Sequence, residues 1–151
     1  MINQKVNVRP ASPEDYDDWQ VMWKRYCAFY EEDVPDSVHE TTWERIHAAE
    51  EPIHSLIAEN SNGKIIGFAN YLVHASTWYI EPVCYLNDLF VFPDVRRGGV
   101  GRSLIEHLIV IVKDNGWGEL YWHTKHDNHV ARILYDRVAT DCNFVRYGVD
   151  F

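Results

Sequence analysis

The stretch DLFVFPDVRRGGVGRSLIEHL, residues 88–108, decides the fold. It begins as an apolar β-rich run, continues into a turn rich in arginine and glycine, and ends as an amphipathic helix. Such a turn is suited to an anion, because glycine lets backbone N–H groups approach closely and the helix start adds unpaired N–H groups and a positive dipole end. Arg96, Arg97 and Arg102 add charge, and Ser103 adds a hydroxyl.

The patterns on either side of this stretch predict a single α/β domain covering residues 1–151. Antiparallel strands come first, and alternating strands and helices follow, which favours a mixed sheet flanked by helices. Helix starts are indicated by Ser12-Pro13 and by a capping box from Ser37 to Glu40, and a helix end by Gly116. Predicted strands cover residues 6–9, 53–58, 64–74, 83–92, 119–124 and 144–149, and predicted helices cover residues 13–29, 40–48, 99–114 and 128–139.

Charge and composition exclude several classes of partner. The net charge of −9 repels polyanions, so we expect no nucleic-acid partner and a mild attraction for cationic ligands. No run of about 20 apolar residues is present and the opening residues lack the apolar core of a secretory signal, which predicts a cytoplasmic protein without membrane contact. Three cysteines without close pairing are typical of reduced thiols.

The spacing of the glycines distinguishes between phosphate-binding motifs. The stretch contains neither GxxxxGK followed by Ser or Thr nor GxGxxG after the strand. It does contain Arg96-x-x-Gly99-x-Gly101, which resembles the pyrophosphate motif of the GCN5-related N-acetyltransferase (GNAT) superfamily. Taken alone, the motif indicates only a pyrophosphate held at the start of a helix.

The resemblance extends on both sides of the motif. The strand from Leu89 through Phe90 to Val91 resembles that family's splayed central strand, and residues 128–135 resemble its Asn-x-x-Ala-x-x-Leu-Tyr helix. More narrowly, WKRYCAFYEEDVP, YLNDLFV and YWHTKHDNHVARILY resemble the Hpa-type acetyltransferases of histones, polyamines and D-amino acids. One departure is Asn143-Phe144 where the family has Gly-Phe; asparagine tolerates the left-handed conformation, so only the helix length is open.

The resemblance implies a GNAT fold with a centrally splayed sheet and acetyl-CoA as co-substrate. It implies that Tyr135 protonates the CoA sulfur, that Asn128 hydrogen-bonds the pantetheine arm, and that the backbone N–H of Phe90 or Val91 polarises the acetyl carbonyl. Direct transfer to an amine through a ternary complex needs no metal. The implied coenzyme-binding residues are Leu89, Phe90, Val91, Arg96, Arg97, Gly98, Gly99, Val100, Gly101, Arg102, Ser103, Asn128, Ala131 and Tyr135.

The base that deprotonates the amine is left open by the sequence. Asp88 and Glu81 lie on or just before the central strand, Asp150 lies near the end of the chain, and a water chain is a further alternative. Asp88 is the candidate we retain. The spacing of His123, His126 and His129 does not predict a metal site, because strand, loop and helix positions would have to converge by chance.

The acceptor region is predicted from the first helix and the acidic loop behind it. Tyr30, Glu31 and Glu32 are candidates to receive a cationic amine, with Trp78 as an aromatic wall, and core packing beside a solvated loop is the alternative. We expect a small primary amine, a polyamine or an amino acid; the alternatives are a protein or histone lysine and a non-catalytic CoA-binding module. The aromatic content and the resemblance favour a homodimer.

Overall fold

The computed structural model describes residues 5–151, which form a mixed β-sheet with helices on both faces. Most boundaries lie within one or two residues of those predicted from the sequence. The strands are β1 Asn7–Pro10, β2 Ile53–Glu59, β3 Ile65–His74, β4 Val83–Val91 and β5 Leu120–Tyr121, and the helices are α1 Tyr16–Phe29, α2 Asp36–His47, α3 Val100–Asn115 and α4 His129–Val138.

The five strands lie in the order β1-β2-β3-β4-β5. The pairs from β1 to β4 are antiparallel, and β4 pairs with β5 in parallel. The β2–β3 hairpin turns through Gly63, whose φ of 76° lies in the left-handed region that glycine adopts without strain. The predicted mixed sheet is therefore confirmed.

Each face of the sheet has its own apolar core. On one face, the α3 side chains Leu104, Ile105 and Leu108 pack fully buried against β2, β3 and β4. On the other face, Trp19 and Trp23 of α1 pack on Phe68 and Phe90. The aromatic stripe of the first helix is thus mostly core, as its spacing of three and four residues predicts.

The start of α2 differs from the prediction. The capping box was predicted from Ser37, but the helix begins at Asp36 and its N-cap is Pro35. The Pro35 carbonyl accepts the first helical bond, from Val38 N–H at 2.9 Å, so Ser37 already lies inside the first turn. Proline lacks a backbone N–H, and this costs nothing at a helix start, because an N–H there would have no partner within the helix.

The last strand predicted from the sequence is wrong. Residues 144–149 form no strand, and β5 keeps only two of its six predicted residues. Both differences have one cause: the chain leaves β4 after Tyr121, and no strand within residues 5–151 then lies beside either segment. Asn143 does adopt a left-handed φ of 57°, although α4 already ends at Val138.

The three cysteines are free thiols, with Cys27 and Cys84 buried and Cys142 exposed. Among the described residues, no helix has the length and apolar character that crossing a bilayer requires.

Candidate active site

The site is an opening between β4 and β5. The two strands pair over two residues, Cys84 with Leu120 and Tyr85 with Tyr121, and then diverge. The carboxyl-terminal half of β4 therefore has β3 on one side and an open edge on the other. This is the splayed strand pair that the resemblance implies.

A β-bulge at Asn87 determines which side chains of β4 face which helix. In the pairing with β3, Asn70 lies opposite Asp88 and Tyr71 lies opposite Leu86, which leaves Asn87 as the extra residue. The extra residue reverses the alternation, so that Leu86 packs in the core under α3 while Asp88 turns toward α1. Sequence alternation alone could not say which of Asn87 and Asp88 faces this side.

The open edge of β4 offers unpaired backbone groups. Phe92 donates its N–H to the Ile66 carbonyl of β3 at 3.1 Å. Because hydrogen bonding alternates along an antiparallel pair, Phe90 also bonds toward β3, whereas Leu89 and Val91 direct their N–H groups to the opening. Of the two residues proposed to polarise a carbonyl, Val91 has the suitable direction.

The loop from β4 to α3 exposes the start of a helix to the same opening. The first intrahelical bond runs from Ser103 N–H to the Gly99 carbonyl at 2.9 Å, so the N–H groups of Val100, Gly101 and Arg102 precede the ladder. Gly99 is the N-cap with a φ of 80°, which glycine adopts without strain. This local geometry is that of an anion site.

Gly101 lets three elements meet at the opening. A Cβ atom at this position would lie 3.3 Å from Leu134 Cδ2 of α4 and 3.8 Å from Val91 Cγ2 of β4. Any larger side chain would push α4 away from the α3 start. The strand, loop and helix segments identified in the sequence therefore contact one another in the fold.

The three arginines of the loop are not equivalent. Arg102 pairs with Glu106 one turn along α3, with Nε 2.7 Å from Oε1. Arg96 donates its Nε–H to the Val91 carbonyl at 3.2 Å, which leaves its terminal nitrogens beside the opening, and Arg97 is exposed with a positive φ of 68°. Arg96 and Arg97 are thus the cations better placed for an anion.

On the far side of the opening, α4 carries Asn128 and Tyr135. Asn128 is the N-cap: its Oδ1 accepts from Ala131 N–H at 3.4 Å, and its amide nitrogen donates to Thr124 Oγ1 at 3.1 Å. Burial, with a smaller effect of Tyr30, raises the pKa of Tyr135 to about 12. The phenol stays protonated at neutral pH but is a weaker acid than the free tyrosine assumed from the sequence.

Asp88 is 7% exposed, and burial raises the pKa of its carboxyl group above the usual range. Its Oδ2 accepts from Asn70 Nδ2 at 3.1 Å, and Asn70 Oδ1 in turn accepts from Trp19 Nε1 at 3.4 Å. The Tyr26 hydroxyl donates to the neighbouring Asn87 carbonyl at 3.4 Å. Polar donors rather than a cation stabilise Asp88 among residues 5–151.

A row of polar aromatic rings lies where β4 and β5 still pair. His74 Nε2 and the Tyr121 hydroxyl are 2.7 Å apart, Tyr121 stacks on Tyr85 at 5.0 Å between centroids, and the Tyr85 hydroxyl is 3.2 Å from His123 Nδ1. The row lines the base of the opening with groups that can exchange hydrogen bonds with a polar ligand.

The predicted acceptor residues are only partly brought together. Tyr30 is half-buried, its ring lies 5.5 Å from Lys125 Nζ, and its proximity raises the pKa of Tyr135. Glu31 and Glu32 follow it in exposed positions. Trp78 is 88% exposed, and its neighbour Tyr79 covers Gly118 just before β5, at the closed end of the strand pair.

Sequence reasoning did not single out Tyr26, Asn70, Tyr85 and Tyr121. Tyr26 belongs to the aromatic stripe of α1. The helical spacing of such a stripe does not distinguish a core residue from a residue of the site. Asn70 carried a usable signal, since it is a lone amide in the apolar strand IIGFANYLV. A buried amide needs partners, and its partners prove to be Trp19 and Asp88.

A splayed strand pair, a helix start with unpaired N–H groups and a partly buried phenol on α4 are features of an acyltransferase of the GNAT class. The chain belongs to the Acetyltransferase (GNAT) family, whose sequence profile matches residues 19–139. It is accordingly an acetyl-CoA-dependent N-acetyltransferase.

Two curated relatives are similar over nearly their whole length. The D-amino-acid N-acetyltransferase HPA3 of Saccharomyces cerevisiae is 36% identical over 148 residues, which is 97% of this chain and 92% of that protein. The uncharacterised N-acetyltransferase YhfO of Bacillus subtilis is 30% identical over 144 residues, 94% of this chain and 95% of that one. In fold, the chain resembles AAC(6')-Iy bound to a bisubstrate analogue, with a TM-score of 0.84 at 22% identity over 97% and 99% of the two chains.

Proposed function

We propose that the protein transfers the acetyl group of acetyl-CoA directly to the primary amine of a small molecule, an amino acid or a polyamine. The observation that carries this is the opening itself, which has an anion site at one end, unpaired N–H groups along β4, and Tyr135 on the opposite wall. The thioester supplies an activated acetyl group when the coenzyme is bound. The acceptor approaches from the side of Tyr30 and the acidic loop.

The α3 start binds the pyrophosphate. The backbone N–H groups of Val100, Gly101 and Arg102 are unpaired at the helix start, and Arg96 and Arg97 come just before it in the chain, which supplies the donors and the charge that a doubly charged diphosphate requires. Leu89 and Val91 hold the pantetheine arm with their open-edge backbone groups. The Asn128 amide, which already caps α4, orients that arm from the other wall.

Two protein groups stabilise the reacting centre. The Val91 N–H donates to the carbonyl oxygen on which negative charge develops. Tyr135 donates its phenolic proton to the departing sulfur and is reprotonated from the amine or from solvent. The burial that raises its pKa also keeps water from competing for the thiolate.

The acceptor is a small cation at neutral pH. Exposed Glu31 and Glu32 attract it, and the net charge of −9 draws it from a distance. Tyr30 is the aromatic residue beside them, and its ring already has Lys125 Nζ 5.5 Å from its centroid. The name of the yeast relative, a D-amino-acid acetyltransferase, supports an amino acid acceptor. We also assign Trp78, at the closed end of the strand pair, as an aromatic wall of the acceptor site.

The experiment is a release assay for CoA thiol with acetyl-CoA and a panel of acceptors. The panel holds D- and L-amino acids, spermidine, an aminoglycoside and a histone-tail peptide, each at equal concentration. We expect the highest kcat/KM with an amino acid or spermidine. The highest value with the peptide would reassign the acceptor to a protein lysine, and tight acetyl-CoA binding without turnover would indicate a non-catalytic module.

We propose in addition that the protein is a homodimer assembled through its C-terminal arm, residues 140–151. The arm has no regular secondary structure, and Val145, Tyr147 and Val149 are each at least 75% exposed. Apolar residues at every second position are typical of a strand with one buried face. β5 is an edge strand, so the arm of a second copy has a free edge on which to pair.

We also propose that the protein is cytoplasmic and has no nucleic-acid partner. The three free thiols suit the reducing cytoplasm. The acidic surface disfavours a nucleic-acid partner.

A further inference from the structure

The row of polar rings at the base of the opening lies on an accessible part of the sheet. It consists of His74, Tyr121, Tyr85 and His123. On β4, Cys84 and Leu86 pack in the core under α3, so the Tyr85 side chain between them points to the opposite face. The two histidines are exposed and the two tyrosines are half-buried, so the row is open to solvent.

Tyr121 lies at the point where the opening begins. It pairs with Tyr85 in the last registered pair of β4 and β5, and beyond it the strands diverge. Its neighbours Leu120 and Trp122 pack toward α3, and the Trp122 ring lies edge-on to Tyr135 with 5.5 Å between centroids. Tyr121 and Tyr135 therefore approach the opening from opposite faces of the sheet.

The hydrogen bonds of His74 fix the direction of the Tyr121 hydroxyl. His74 Nδ1 lies 2.8 Å from the Ala75 carbonyl oxygen, which can only accept, so we assign the ring proton to Nδ1. In the neutral ring Nε2 then has no proton, and it accepts from the Tyr121 hydroxyl at 2.7 Å. The Tyr121 oxygen keeps its lone pairs for a ligand, which suits an N–H donor and not a carboxylate.

We propose that Tyr121 and His74 deprotonate the acceptor: the ammonium group donates an N–H to the Tyr121 oxygen, and a proton passes from that hydroxyl to His74 Nε2. The inference rests on the proposed function, in which a cationic amine must lose a proton before it attacks. Tyr121 contacts the acceptor, and His74 is a positioning residue that orients the hydroxyl and takes up its proton. Asp88, the candidate base from the sequence, is buried, whereas His74 is exposed and exchanges its proton with solvent.

The proton count of this step balances. The ammonium N–H passes to the Tyr121 oxygen as the Tyr121 proton moves to Nε2, so the phenol ends unchanged and His74 becomes a cation. The neutral amine forms the C–N bond while the thioester C–S bond breaks, and Tyr135 gives its proton to sulfur and regains one from the nitrogen. His74 then returns its proton to solvent, which restores the starting state.

The surroundings of the pair suit transfer through a neutral phenol. Burial raises the pKa of Tyr121, so the phenol keeps its proton at neutral pH. The titratable and charged groups around the pair are Tyr85 and Cys84 of β4, Glu119 before β5, His123 after it and, acting on Tyr85, Arg146 of the C-terminal arm. Histidine changes charge near neutral pH, which suits a group that takes up and returns a proton in each cycle.

The test compares pH–rate profiles of His74→Ala and Tyr121→Phe with the wild type, using the best acceptor of the panel. Each variant should lose at least about tenfold in kcat at neutral pH with an unchanged Kd for acetyl-CoA. The loss should shrink as pH rises past the pKa of the acceptor ammonium group, because an amine that is already neutral needs no base. His47→Ala, at the exposed end of α2, and Tyr16→Phe, at the start of α1, are the matched controls.

Chemical rescue separates proton transfer from a structural role. Added imidazole should restore activity to His74→Ala, because the place of the missing ring is open to solvent, but not to Tyr121→Phe, which lacks the connecting hydroxyl. The proposal is overturned if the wild type is active and both variants match their controls, if the losses persist at alkaline pH, or if imidazole restores nothing to His74→Ala.

Two further outcomes are distinguishable from these. A loss of kcat in Asp88→Asn with none in His74→Ala or Tyr121→Phe would overturn the proposal and assign the base to Asp88. Failure of the proposed function looks different, because the wild type itself would then release no thiol with any amine.

Discussion

At the scale of single residues, the proposal assigns the acidic loop behind α1 to the acceptor and not to the coenzyme. Glu31 has a left-handed φ of 57° and both it and Glu32 are exposed, so they are free to attract a cation without disturbing the core. Tyr30, which precedes them in the chain, contributes to the raised pKa of Tyr135.

Replacing both Glu31 and Glu32 by Gln should therefore raise KM for spermidine about three- to tenfold, in line with the loss of exposed charge interactions. The Kd for acetyl-CoA and kcat should not change. Steady-state kinetics with Glu50→Gln as control measures this, since Glu50 is exposed after α2. An unaltered KM would remove the loop from the acceptor site.

A second residue-scale feature ties the first strand to the first helix. Arg9 donates to both oxygens of Asp15, at 2.7 and 2.9 Å, and to Glu59 at 2.6 Å. The guanidinium group lowers the pKa of both carboxyl groups. The two carboxylates therefore stabilise the fold fully above about pH 4, the pKa of a carboxyl group in the unfolded chain. This stabilisation is lost as the pH falls through their lower pKa values in the folded protein.

Asp15→Asn should lower the free energy of unfolding at pH 7 by about 1–3 kcal/mol, because Asp15 is buried and Arg9 loses its main partner. The difference from the wild type should narrow below about pH 4. Urea unfolding at several pH values measures it. A constant difference across pH would show that the charge is not what Asp15 contributes.

At the scale of elements, the α3 start was the most predictable part of the molecule. A loop that must expose backbone N–H groups requires glycine at fixed positions, so its geometry can be predicted from its sequence. The pairing of Arg102 with Glu106 was not predictable in this way, because an exposed acid four residues along a helix is equally compatible with a solvated arginine.

The difference between Arg102, which is paired with Glu106, and the other two arginines of the loop can be tested by substitution. Arg96→Gln and Arg97→Gln should each weaken acetyl-CoA binding about tenfold at low salt, and Arg102→Gln should weaken it about threefold or less because its charge is already neutralised. Titration calorimetry measures the three Kd values, with Arg45→Gln at the end of α2 as control. Equal losses at all three arginines would contradict the structural distinction.

At the scale of the whole molecule, the sequence predicted the order of elements along the chain and a mixed sheet, and the resemblance implied that the sheet is splayed, but neither gave the position of the bulge or of the point where β5 diverges. The bulge at Asn87 and the early divergence of β5 depend on neighbouring strands, which local patterns do not contain. The strand predicted over residues 144–149 does not form, because alternation along the chain does not show whether a partner strand is present, and none lies beside this segment among residues 5–151. Tyr26 was likewise assigned to the core, because helical spacing predicts which face is buried but not which polar contacts its side chains make.

The arm makes oligomeric state a testable property. The wild type should have about twice the chain mass of 17.7 kDa by size-exclusion chromatography with light scattering. Val145→Asp combined with Val149→Asp should yield monomers, because charge cannot be buried against a partner sheet. Val110→Asp, on the exposed side of α3, should leave the dimer intact. A monomeric wild type, or a dimer that survives the arm substitutions, would contradict the proposal.

The central claim is that acetyl transfer occurs in the opening between β4 and β5 with Tyr135 as the acid for the leaving sulfur. The most direct measurement is the turnover of Tyr135→Phe, alongside the Kd for acetyl-CoA. We predict a kcat at least about tenfold below the wild type with unchanged affinity, because only the proton donor is removed. Turnover close to that of the wild type would contradict the account.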